Sequence, residues 1–228
     1  MKLKLNNVKL NENDWPGTYL KMLEEITYQP LYDAFAFQAY SKYGRPDDKW
    51  GAYMEKVSEK ISDTALVAEL KSMRVKSIER EERIKKITSA PVPTYTMETI
   101  DGKKKTIADF KGKFVLLDMW ATWCGPCKLE IPHLQKKEEK YHDRVEFVSI
   151  SFDANKETWV NFVKEKALTG VQVIAEENSK KIQHHYMVTG YPTFILLGKD
   201  GKVINHNFVR PSSPGFDSFL EAMMKQHN

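Results

Sequence analysis

The stretch Asp118-Met119-Trp120-Ala121-Thr122-Trp123-Cys124-Gly125-Pro126-Cys127 leaves the surrounding chain few options. An apolar, strand-like run from Lys113 to Leu117 leads into it, and a helix-like segment beginning Lys128-Leu129-Glu130 leads out. Both cysteines are therefore expected where a strand hands over to a helix. They are the only 2 cysteines among 228 residues. In a first helical turn, positions three apart share a face, so Cys124 and Cys127 can reach each other and close a small disulfide ring. The unpaired N–H groups and the positive dipole end of such a turn favour an anion, here the thiolate of Cys124. Gly125 lets the chain approach a partner closely, and Pro126 is tolerated because its missing N–H would be unpaired there anyway.

Other chemistries for a Cys-x-x-Cys pair are weaker. Zinc would need a second pair of soft ligands at matching spacing, and the 6 histidines are scattered, so no metal is expected and no cofactor is implied. A purely structural bridge across two intervening residues closes too short a loop to stabilise much. The net charge of +4 is spread among many acidic residues, which argues against a nucleic-acid partner; Lys103-Lys104-Lys105 reads as a solvated face. No apolar run is long enough to span a bilayer, and Met1 to Leu10, with leucines interleaved by lysine and asparagine, does not read as the apolar core of an export signal.

With Trp-Cys-Gly-Pro-Cys after an apolar strand, the chain resembles the thioredoxin superfamily. The longer pattern, Asp101-Gly102 through Ala108-Asp109-Phe110-Lys111-Gly112-Lys113 to Cys127-Lys128-Leu129-Glu130-Ile131-Pro132, resembles its TlpA/ResA-like thiol-disulfide oxidoreductases. The resemblance covers the last three-fifths of the chain. It implies an α/β, thioredoxin-like fold, a central mixed sheet flanked by helices. It also implies thiol-disulfide exchange through Cys124 and Cys127, with Asp118 as the buried acid below the pair. A carboxyl so placed would resist ionisation and exchange a proton with Cys127; the other reading of Asp118 is a strand-end aspartate bonded to backbone. Glu130 stands where the ResA-like branch keeps a glutamate near the active site, although a glutamate in an early turn is also favoured by the dipole alone. Pro192, in Gly190-Tyr191-Pro192-Thr193, resembles the superfamily's cis-proline facing the disulfide. Together Trp120, Trp123, Gly125, Pro126, Tyr191 and Pro192 are the expected substrate-binding rim, with the Tyr191 backbone available to an extended peptide.

The resemblance further implies protein disulfide substrates, an upstream thiol electron donor, and a periplasmic or cell-envelope setting. The sequence as given does not begin with the signal such export calls for, so either an export segment has been trimmed from it or the setting is cytoplasmic. Gly-Pro between the cysteines matches thioredoxin and predicts a reducing poise. Peroxide reduction is a second enzyme reading, but the peroxidatic pattern wants threonine three residues before the cysteine, where Ala121 stands.

Ahead of this lies a region of different character. Residues 1–88 are expected to form an all-helical N-terminal domain, 89–93 a linker, and 94–228 the thioredoxin-like domain. Leu3, Leu5, Val8 and Leu10 alternate with polar residues, as in a short strand or hairpin edge. Helical spacing follows: Tyr19, Leu20, Leu23 and Ile26 up to a break at Pro30, then Leu31 to Tyr40, then a helix capped at Asp47 or Asp48, and a fourth capped by Ser62-Asp63. Its aromatics read as core. A reading from another class makes this domain a recruiter of protein partners, with the redox pair gating the contact. Ser89-Ala90-Pro91-Val92-Pro93 stops the last helix. Beyond it come a hairpin over Tyr95 to Ile107, strands at 114–120, 145–152, 171–175, 194–197 and 203–209, intervening helices, and a closing amphipathic helix over Pro214 to Lys225 built on Phe216, Phe219, Leu220 and Met223.

Overall fold

The computed structural model describes residues 14–45 and 47–227. The chain divides into two compact units, residues 1–84 and 85–228. The expected alternation at Leu3 to Leu10 lies outside the described residues.

The first unit is built from α1 (Trp15–Glu24), α2 (Gln29–Tyr43), α3 (Asp48–Lys60) and the start of α4 (Thr64–Ser89). Short polar side chains begin these helices by accepting otherwise orphaned N–H groups: Asp14 from Gly17, Asp47 from Trp50, and Asp63 from Ala65 and Leu66. Pro30, expected as a break, instead opens α2, where a missing N–H costs nothing. The core packs Leu23, Ala36, Tyr40, Trp50, Tyr53, Val57 and Leu70. Within it Tyr53 Oη donates to the Ala36 carbonyl at 3.0 Å.

The second unit is a seven-stranded mixed sheet with helices on both faces. In chain order its strands are β1 (Met97–Thr99), β2 (Lys104–Lys105), β3 (Phe114–Trp120), β4 (Val145–Ser151), β5 (Val171–Ile174), β6 (Thr193–Leu197) and β7 (Val203–Phe208). Across the sheet they run β2-β1-β5-β4-β3-β6-β7. β3, β4 and β5 are parallel neighbours, while β6 joins β3 antiparallel. The helices are α5 (Gly125–Tyr141), α6 (Lys156–Glu165), α7 (Ser179–His185) and α8 (Phe216–Gln226).

Every residue of β3 is buried, as its nearly unbroken apolar sequence requires. Val115, Leu117 and Met119 point to one face, with Val148, Ile150 and Ile182 of α7. Phe114 and Leu116 point to the other, against Leu134 and Tyr141 of α5 and Phe216 and Leu220 of α8. The strand's period of two puts Asp118 on this second face, toward α5. Burying a Leu- or Val-sized side chain contributes about 1.5–3 kcal/mol. A carboxyl in the same row therefore gives up stability that an apolar residue would supply.

Two expectations change. The hairpin at Tyr95 to Ile107 pairs only Met97 and Glu98 with Lys105 and Lys104. The Thr106 N–H and Oγ1 both donate to Asp109, winding Ile107–Phe110 into a 3-10 turn instead of a strand. In α8 it is Met224, one position beyond the expected Met223, that is fully buried alongside Phe216 and Leu220. Of the segment expected as a linker, Val92 packs against the core of the second unit.

Candidate active site

The site stands at the junction of β3 and α5. β3 ends at Trp120, whose carbonyl accepts from the Phe152 N–H at 2.9 Å, and the chain turns through Ala121-Thr122-Trp123. Asp153, itself buried, fixes that turn: it accepts from the Thr122 N–H at 2.9 Å, from Thr122 Oγ1 at 2.6 Å and from Ser151 Oγ at 2.7 Å. Cys124 is the N-cap of α5, and its Sγ accepts from the Cys127 N–H at 3.2 Å. The two cysteines are joined as a disulfide with their Cα atoms 5.3 Å apart. The pair thus occupies the end of α5 where unpaired N–H groups and the helix dipole favour a thiolate.

Around it the side chains separate into a floor and a rim. Trp120, expected in the rim, lies in the floor: it is buried, tilted against Phe162 at 5.7 Å between ring centres, and packed with Trp159, Val163 and Ile174. As the last residue of a strand covered on both faces, it has no route to the surface. Trp123 is the rim residue, 65% exposed and edge-on to Tyr191 at 5.8 Å. Tyr191 stacks on Phe152 at 5.2 Å and its hydroxyl accepts from Gln183. The Tyr191–Pro192 peptide is cis. Gly125 and Pro126 are exposed, and a side chain at Gly125 would meet nothing of the chain itself, so approach there is open to a partner. Leu129 completes the apolar rim at 75% exposure. The sequence signal for it was a leucine two residues past Cys127, on the turn opposite the buried positions of α5.

Besides Asp153, three more carboxylates are buried here. Asp118 is 8% exposed, and its one hydrogen bond in this structure comes from Ser149 Oγ at 3.3 Å. Burial outweighs that bond, and with smaller contributions from Glu138 and Glu130 it pushes Asp118 up to about 7. With Ile131, Leu134, Gln135 and Glu138 of α5 it lines a small enclosed space; Cys127 lies one turn before Ile131 on the same buried face. Glu130 is also buried, but it is held from another direction. It accepts from the Ser212 N–H at 3.0 Å and Ser212 Oγ at 2.8 Å, with Arg210 at 3.9 Å, so it fastens α5 to the loop after β7. Sequence spacing alone had no means of finding Ser212, which lies 82 residues away. The third carboxylate, Glu138, was not singled out from the sequence.

Residues 112–203 match the thioredoxin-like family profile. The chain is 32% identical over 130 residues to the thiol-disulfide oxidoreductase ResA of Bacillus cereus, covering 57% of this chain and 74% of that one. The chain belongs to the ResA-like thiol-disulfide oxidoreductases. To ResA of Bacillus subtilis it is 31% identical over 113 residues, 49% of this chain and 62% of that one. Among solved structures, the thioredoxin domain of a thiol-disulfide oxidoreductase from Bacteroides vulgatus superposes with a TM-score of 0.53 at 27% identity, covering 61% of this chain and 96% of that one. This ResA-like chain is a thioredoxin-fold oxidoreductase, and in it a helical region precedes the sheet.

Proposed function

We propose that the protein reduces disulfides of exported proteins through Cys124 and Cys127, in the periplasm or cell envelope, drawing electrons from an upstream thiol donor. The observation that carries this reading is the Cys124–Cys127 disulfide capping α5, flanked by the exposed apolar rim of Trp123 and Leu129. In the reduced protein, the Cys124 thiolate attacks one sulfur of a substrate disulfide, forming a mixed disulfide and expelling the other sulfur as thiolate. Cys127 then loses its proton to Asp118, and its thiolate attacks Cys124 Sγ. The second substrate sulfur leaves with the electron pair, and the protein is left oxidised. The donor's two electrons restore the dithiol.

Asp118 suits the second step because its carboxyl titrates near neutral pH and faces the helix that carries Cys127. Glu130 supports it by setting α5 against the Arg210–Ser212 loop and by adding negative charge near Asp118. The Trp123, Tyr191 and Leu129 surface takes an apolar or aromatic residue next to the substrate cysteine, and the half-buried stretch around cis-Pro192 takes the extended peptide.

Reduction of insulin disulfides with dithiothreitol as donor tests the mechanism. Cys124→Ser is expected to abolish turnover, and Cys127→Ser to stop it at a trappable mixed disulfide. Retained turnover in Cys124→Ser sinks the reading. Equilibration with glutathione or dithiothreitol tests direction: a potential at the reducing end of the thioredoxin-like range supports a reductase, and one at the oxidising end assigns disulfide formation instead.

A further inference from the structure

Glu138 is 7% exposed and borders two different spaces. On its inner side is a cavity of about 10 Å³, shared with Asp118, Trp120, Ser149 and Gln172. On its outer side is an open cleft of about 750 Å³, shared with Pro132, Gln135 and Thr169. Gln135 and Thr169 also line both spaces, so the three side chains together form the wall between Asp118 and the cleft, and Glu138 is the only titratable one among them. It is also held in place. Thr169 Oγ1 donates to Glu138 Oε2, and Gly170, at φ +67°, brings its backbone so close that a Cβ there would lie 2.6 Å from Glu138 Oε1.

Residues lining the inner cavity carry three buried polar atoms without a protein partner: Asp118 Oδ1, Trp120 Nε1 and Gln172 Oε1. Buried polar atoms are costly without a partner, and a polar cavity of roughly 10–15 Å³ holds one water. A donor and two acceptors around so small a space form a site for a hydrogen-bonded relay. We propose that Glu138 is the proton outlet of Asp118: the proton that Asp118 takes from Cys127 passes across the inner cavity to Glu138, which releases it into the outer cleft. No redox change accompanies this step; one proton moves, and because Asp118 passes it on as Cys127 gives it up, the transfer belongs to the resolution of the mixed disulfide itself. Glu138 is then a positioning and proton-conducting residue that acts through Asp118, so the inference rests on the reading of Asp118 as the base for Cys127.

The electrostatics suit such a transfer. Burial holds Glu138, like Asp118, above the usual carboxylate range, so neither carboxylate is strongly favoured over its protonated form in this pocket. Inward, Glu130 on the same helix is the other charge acting on Asp118, while β4 and β5 bring the neutral Ser149 and Gln172. Outward, the cleft is ringed by Lys113, Lys136, Glu139, His142 and Glu146.

The test is the pH dependence, from about pH 5 to 9, of mixed-disulfide resolution in single turnover, using the full chain and a small aromatic disulfide. Wild type, Glu138→Gln, Asp118→Asn and the double variant are compared. Glu138→Gln is expected to slow resolution about tenfold and move the acidic limb to lower pH, because a negative neighbour of Asp118 is gone. In the Asp118→Asn background it is expected to change nothing further. A wild-type rate and profile in Glu138→Gln overturns the outlet while leaving Asp118 as base. Independent, multiplying effects in the double variant overturn it too. An unchanged profile in Asp118→Asn overturns the underlying reading. Should Glu138→Gln not fold, carboxyl ¹³C titration of the wild type decides: each of the two signals is expected to follow both titrations, and two independent single-step curves overturn the proposal.

Discussion

Asp33 in the helical unit and Asp118 in the sheet unit are buried almost equally, 6% and 8% exposed, yet their carboxyls behave oppositely. Asp33 accepts from the Ser62 N–H, from Ser62 Oγ at 2.6 Å and from Gln29 Nε2 at 2.6 Å. Burial pushes it up, but these bonds together outweigh that and hold it below the usual carboxylate range. Asp118 has the Ser149 hydroxyl at 3.3 Å, too little to offset burial, and is pushed up to about 7. Burial alone does not make a carboxyl reactive. Asp118 lies deep among buried side chains with one hydrogen bond, whereas Asp33's partners Gln29 and Ser62 are exposed. That difference in depth and bonding raises one carboxyl and lowers the other. The first aspartate fastens α2 to the α3–α4 turn, and the second, its charge destabilised, faces the helix that Cys124 caps.

The two should therefore respond to pH with opposite slopes. For Asp118, the unfolded chain releases its proton near 3.8 and the folded chain only near 7, so stability falls as pH rises through that window and the loss is complete above it. For Asp33, stability is present above the unfolded value of 3.8 and is lost as pH falls through its lower folded value. Chemical denaturation read at the indole signals of Trp50 and Trp159 separates the two units. Asp118→Asn is expected to stabilise the oxidised second unit by on the order of 3 kcal/mol at pH 8, a gain that shrinks away toward pH 4. It should also slow mixed-disulfide resolution about 10²-fold. A destabilised Asp118→Asn protein at pH 8 would break the comparison.

Next in size, Asp33→Ala removes the charged acceptor shared by the Ser62 N–H, Ser62 Oγ and Gln29 Nε2 and is expected to cost about 2 kcal/mol at Trp50, with disulfide exchange unchanged. Ser62→Ala removes one of those donors but keeps the backbone N–H, so about 1 kcal/mol is expected by the same readout. Ser149→Ala is the smallest change. It removes the one hydrogen bond that lowers Asp118, so the acidic limb of the resolution profile should move to higher pH, with a stability effect under about 1 kcal/mol. A shift to lower pH would show that Ser149 does not hold the Asp118 carboxylate.

Much of this protein was written in short-range pattern. β3, the N-cap position of Cys124, the helical caps at Asp14, Asp47 and Asp63, and the helices at either end follow from alternation, periodicity and capping chemistry, which act over a few residues. The order of strands does not; neighbours such as β1 and β5 or β3 and β6 are brought together by closing long loops, and no local signal encodes them. The same limit governed the site. The sequence by itself determined that Cys124 and Cys127 would stand together where a strand hands over to a helix, and that an aspartate would sit in a buried strand. Only the tertiary structure decided that Trp120 lies beneath the pair while Leu129 borders it, that Glu130 is fastened to Ser212, and that Glu138 stands between Asp118 and solvent. Those outcomes depend on which distant groups supply hydrogen bonds and which deny water, and that is fixed only when the whole sheet and its helices are packed.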